Sequence, residues 1–187
     1  MSSELLSVIR EEFGRVAYTF KTHQKIIDRY NNQIKWQRRT NAFLLTVTAG
    51  GTIDILIRDQ YVSKIVTLLF SAMALFLAIY QLSMNTDRIV DQHRVTARSL
   101  WLVREEYIHL ISDLKSQAIS ADLALKRRDE LTLRTAYIYN SAPDTDSKAY
   151  MEAQKALKHN EELTFSLNEI DLLLPERLRE TSINQNP

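Results

Sequence analysis

The chain has 187 residues, a formal net charge of +1, 25% charged side chains and no cysteine, with a mean hydropathy of -0.25. The near-neutral balance argues against a general nucleic-acid binder, which carries a strongly basic face. The lack of cysteine excludes disulfides, thiolate metal sites and a cysteine nucleophile, and fits a reducing cytoplasm.

The first predicted element is an amphipathic helix over residues 4–40. Ile9, Phe13, Val16, Phe20, His23, Ile27, Tyr30 and Ile34 recur at steps of three or four, the spacing of one apolar stripe. No cleavable signal peptide is expected, because the apolar sequence begins only after this long polar helix. Residues 42–57, "AFLLTVTAGGTIDILI", span about 24 Å as a helix and contain Asp54 near their far end. After the short connection "RDQYVSK", residues 65–84 carry no charge and give a helix of about 30 Å, the hydrocarbon thickness of a bilayer. Apolar side chains cover every side of it, apart from Thr67, Ser71, Gln81 and Ser83. A transmembrane hairpin is predicted. The alternative, a buried pair in a soluble bundle, requires the remaining chain to wrap both helices on all faces.

Basic residues cluster on one side of the hairpin. Arg29, Lys35, Arg38 and Arg39 precede it and Arg88, Arg94 and Arg98 follow it, against only Arg58 and Lys64 in the loop. Both termini are therefore expected in the cytoplasm, with Trp36, Tyr61 and Tyr80 placed as interfacial anchors. A second stripe follows: Ile89, His93, Thr96, Leu100, Val103, Tyr107, Leu110 and Leu114. It is expected to face the first, extending the hairpin as a helical stalk. A third cytoplasmic stretch over 120–139 ends at the loop "NSAPDTDS", and a fourth helix is expected over 148–163. Ser166 and Glu169 form a capping-box pattern before a short apolar turn that Pro175 stops, and residues 179–187 are expected to be a disordered tail. The predicted fold class is all-α, a single domain over 1–178 with a two-helix transmembrane hairpin and cytoplasmic helices over 86–174.

Nothing nominates an enzyme. His23 and His93 lie on the apolar stripes, His109 and His159 lack partners at metal-ligand spacing, and the pairs Glu105/Glu106 and Glu161/Glu162 each point two ways on a helix. No metal, cofactor or nucleic acid is expected.

The long first helix, the two spans, "WLVREEYIHLISDLKS" (101–116), "RDELTLR" (128–134), "YNSAPDTDSKAYMEAQKAL" (139–157) and "LTFSLNEIDLLLP" (163–175) together resemble the SLATT family over nearly the whole chain. These are two-transmembrane effector domains found beside nucleotide-generating and nucleotide-sensing proteins of bacterial conflict systems. The resemblance implies an inner-membrane effector that permeabilises the bilayer under a nucleotide signal and kills or arrests a phage-infected cell. The alternative is a membrane-anchored scaffold that recruits a cytosolic partner.

Two helices cannot enclose a water path, so a pore requires a homo-oligomer. Close helix contact in lipid is favoured by small residues. Thr46 and Gly50 on the first span, and Ser71, Ala74 and Ala78 on the second, are the candidate contact stripes for hairpin packing or subunit association, although such residues are common in any membrane helix. Gly50 and Gly51 are a candidate bend. Asp54 is a candidate pore-lining group, and Arg58, four residues on, offers it a local ion pair instead. For a nucleotide messenger or a nucleotide-sensing partner, the candidates are Lys126, Arg127, Arg128, Arg134 and Tyr137, which a solvated charged face explains equally well.

Overall fold

The computed structural model describes residues 3–58 and 60–179, so the expected tail falls outside the described residues except for Arg179. Among the described residues there are six α-helices and one 3-10 turn: α1 (Ser3–Arg58), α2 (Tyr61–Ser83), α3 (Thr86–Lys115), α4 (Ala121–Ser141), α5 (Ser147–Lys158), α6 (Leu167–Leu173) and the turn Glu176–Leu178.

α1 is one helix of 56 residues, about 84 Å long at 1.5 Å per residue. It passes from the polar stripe into the apolar block, and past Gly50 and Gly51, without interruption. Backbone hydrogen bonding depends on φ and ψ, which the change of side-chain polarity near residue 41 does not disturb. The return path is jointed. α2 ends at Ser83, Asn85 takes a left-handed conformation at φ 43, and α3 starts at Thr86. Asparagine is among the few residues that tolerate that region.

α1 and α2 are long and apolar enough to cross a membrane, and only 6% and 11% of their most apolar windows are buried inside the protein. Leu56 and Leu82 are 81% and 82% exposed. A soluble bundle would have covered these surfaces, since exposed apolar area costs about 25 cal/mol per Å² in water. The hairpin is a pair of membrane spans.

Beyond the membrane, the two stripes of the sequence meet. Ile9, Val16 and Phe20 of α1 pack with Leu100, Val103, Tyr107, Leu110 and Leu114 of α3, and Ala124, Leu131 and Ile138 of α4 close the same core. α5 lies on α1 through Ala149, Ala153 and Ala156, all fully buried. Their small side chains, at spacings of four and three, permit a close helix approach. Asp146 caps α5 by accepting from the Ala149 N–H at 2.9 Å, and its carboxylate also pairs with Arg29 of α1. That double engagement holds its pKa well below the usual carboxylate range, the Arg29 hydrogen bonds first and the Ala149 N–H second.

α5 stops at Lys158, five residues short of the end expected from the sequence. The chain turns there because Glu162 swings back to α1, where it pairs with Lys21 at 2.5 Å and Lys25 at 3.2 Å. Glu161 and Leu163 take positive φ to make that turn. The capping box at α6 is present: Glu169 N–H donates to Ser166 Oγ at 3.3 Å, and Ser166 N–H donates to Glu169 Oε2 at 2.7 Å.

Candidate functional site

The chemistry of the hairpin lies along its internal seam. Leu44, Thr48, Gly51 and Asp54 of α1 turn toward Ser63, Thr67, Ser71, Ala74, Ala78 and Gln81 of α2; Leu44 and Ala74 are buried and the others are at least half-covered. Gly51 marks a close approach of the two helices. A Cβ built on it would sit 2.1 Å from Thr67 Oγ1, whereas one on Gly50 would meet open space.

Of the residues singled out in the sequence, Gly51, Asp54, Ser71, Ala74 and Ala78 therefore share the seam within one hairpin, while Thr46 and Gly50 are exposed on the outer side of α1. Thr46 satisfies its hydroxyl on the Ala42 carbonyl at 2.9 Å. Asp54 accepts a hydrogen bond from the Ser63 hydroxyl and lies 3.6 Å from Arg58. The carboxylate is thus tied to α2 and to its own helix at the loop end of the spans, which reduces the cost of placing it there.

The seam also holds groups that the sequence reading left ungrouped. Asn41 Oδ1, Thr67 Oγ1 and Gln81 Nε2 are buried with no hydrogen-bond partner among the described residues. Their signal was available in part: Ser63, Thr67 and Ser71 recur every four residues on one face of an otherwise apolar helix.

In the stalk, a cleft of about 350 Å³ lies between α3 and α4, lined by Glu106, His109, Arg127, Glu130 and Arg134 with Leu110 and Leu131 at its base. Of the five candidates in the stalk, it brings together Arg127 and Arg134. They are seven apart and share a face, while Lys126 and Arg128 point elsewhere. Arg127 pairs with Asp113 at 2.9 Å, Arg134 with Glu106 at 2.5 Å, and Arg128 with Asp129 at 2.5 Å. Tyr137 is 77% exposed and borders a different groove, beside Val95 and Ile138. With both guanidiniums engaged and Glu130 alongside, the cleft is balanced in charge. A phosphate would have to displace carboxylates to enter.

A third polar feature joins α1 to α3. His23 and His93 are buried with their Nδ1 atoms 2.7 Å apart, so one ring donates and the other accepts a single shared proton. Burial first, and then the neighbouring His93, brings His23 down to about 4. His93 is also lowered, by burial and then by Arg29, with Asp146 opposing. Lower on the stalk, Arg104 is buried between Trp101, 4.9 Å from the ring centroid, and Phe13, at 5.7 Å.

Among the described residues, no group of three or more His, Cys, Asp or Glu is placed to hold a metal ion. No curated protein and no solved structure matches the chain. The family described as "SMODS and SLOG-associating 2TM effector domain family 4" matches residues 5–169, from the first turns of α1 to the capping box of α6. Its two membrane spans are the hairpin described above, and a match of that extent settles membership: the chain belongs to this SLATT family, as a two-span membrane effector domain.

Proposed function

We propose that this protein oligomerises in the bacterial inner membrane, with both termini in the cytoplasm, and permeabilises the bilayer when a nucleotide signal or a nucleotide-sensing partner acts on its stalk. The outcome is death or arrest of a phage-infected cell. The observation that carries the reading is the hairpin itself: apolar outside, polar along its seam, and continuous through α1 with the stalk helices. Several hairpins arranged in a ring would turn outward-facing α1 residues such as Thr46 and Gly50 into subunit contacts. Separation or rotation of the helices would open the seam groups to water.

The test uses dye-loaded liposomes carrying the full chain, with insertion verified by resistance to carbonate extraction. A panel of cyclic mono- and dinucleotides is added, and in a second arm withdrawn. Leakage in either arm, reduced by D54N or by T46L, is the expected result. Intact liposomes in both arms refute the reading.

A second reading is a scaffold that docks a cytosolic partner. It is favoured by Leu133 and Tyr137, 73% and 77% exposed on α4, far from the hairpin in sequence. Replacing the hairpin with an unrelated pair of spans preserves function in that case and abolishes it for a pore.

A further inference from the structure

A cleft of about 670 Å³ opens where α1, the end of α2 and the start of α3 converge, at the level where the apolar span gives way to the basic flank. One wall is apolar, formed by Ile34, Ala78 and Leu82. The rim is polar, formed by Arg38 of α1 with Gln81, Thr86 and Arg88 from the α2–α3 joint.

The rim has donors in excess. Arg38 and Arg88 are exposed, and neither makes an ion pair with any described residue. Gln81 holds its amide nitrogen without an acceptor among the described residues. Asn85 supplies no side-chain cap to α3, and the N–H groups of Arg88 and Ile89 both turn back to its carbonyl, at 3.0 and 3.3 Å. The first N–H groups of α3, on Thr86 and Asp87, stay open, and such groups favour an anion. Asp87 is the one carboxylate on the rim, leaving the cleft with an excess of positive charge.

We infer that this cleft binds the phosphate of an anionic phospholipid headgroup from the inner leaflet. The shared chemistry is a phosphate ester held by two guanidiniums, which make short charge-assisted bonds to its oxygens. The lipid source is favoured over a free phosphate by continuity: the wall of Ala78 and Leu82 runs directly into the lipid-exposed surface of α2, so an acyl chain lies along it while the headgroup meets the arginines. Basic pockets at the cytoplasmic ends of membrane helices bind anionic headgroups by this logic. A lipid held here bridges α1, through Arg38, to the joint at Asn85. The inference requires the membrane hairpin and is independent of pore formation.

The experiment is native mass spectrometry of the full chain released from nanodiscs containing equal phosphatidylglycerol and phosphatidylcholine, with R38Q/R88Q compared to R98Q, a stalk control. The wild type and R98Q are expected to retain phosphatidylglycerol over phosphatidylcholine by about tenfold, and R38Q/R88Q to lose that preference. R38K/R88K, which keeps both charges, is expected to retain part of it. Equal retention of the two lipids by the wild type overturns the inference without recourse to any variant. So does an unchanged preference in a normally helical R38Q/R88Q. Displacement of the lipid by millimolar glycerol 3-phosphate assigns the cleft to a soluble anion and overturns the lipid assignment.

Discussion

Lowering the pH from about 7 to about 5 probes the contact between His23 and His93. In the fold His23 titrates at about 4, against about 6.5 in an unfolded chain. Between those values the unfolded state binds a proton that the native state refuses, so stability rises with pH across the window. The contribution is complete above about 6.5 and is lost as the pH falls toward 4. For His23 alone the step from pH 7 to pH 5 amounts to about 2 kcal/mol, and His93, shifted in the same direction, adds to it. The melting temperature of the stalk, followed by circular dichroism in detergent micelles, should fall by about 4–8 °C. In H23L/H93L, where two apolar side chains of similar size fill the space, the drop should vanish. Asp146 and Glu162 do not confuse the result. Glu162 is held at about 2 by its hydrogen bond to Lys21 first, then by Lys25, and Asp146 is lowered by Arg29. Their stabilisation is present above the ordinary carboxylate range and is lost only well below pH 5. A wild-type melting point that does not move between pH 7 and 5, or an equal shift in H23L/H93L, refutes the argument.

Three further outcomes follow from the geometry. G51A should weaken α1–α2 association by about 1–3 kcal/mol in a detergent-unfolding titration, since the new methyl meets Thr67; G50A should be neutral or stabilising, and T67A should restore G51A. D146A should expose the amides of α5 to hydrogen exchange, because the cap alone is worth about 1 kcal/mol and the Arg29 pair goes with it; D146N, which keeps an acceptor for Ala149, should do less. L100A should destabilise the stalk by about 2–5 kcal/mol in denaturant melts, its side chain being wholly buried, whereas L102A, on the exposed side of α3, should change stability by no more than about 0.5 kcal/mol.

The parts of the fold that were legible in the sequence are those fixed by local repetition. The stripes from Ile9 to Ile34 and from Ile89 to Leu114 declared two helices and their inward faces, and the uncharged run after Lys64 declared a span. The Ser166/Glu169 cap was legible because all its atoms lie within four residues. What escaped the sequence depends on register between distant segments. Nothing local says that Glu162 returns to Lys21, that Arg29 meets Asp146, or that His23 and His93 come level across the seam; each follows from how far α3 slides along α1 after the joint at Asn85. The same limit applied at the site. Lys126, Arg127, Arg128 and Arg134 read as one basic cluster in a line of text, but a helix distributes them round its circumference and neighbouring carboxylates claim three of the four. In the membrane, the small and polar residues were visible, but which of them faced α2 was not, and Gly50 and Gly51 differ only in that.

The two limbs of this molecule are mechanically unlike. The first limb is a single unbroken rod from the far tip of the stalk to the connecting loop of the hairpin, whereas the returning limb is jointed at Asn85. A twist applied at the tip is carried into the first span by an unbroken helix, whereas the second span receives it through its packing on the first and across that joint. The chain is in that sense a crank, with its axle in the membrane spans and its handle in the stalk.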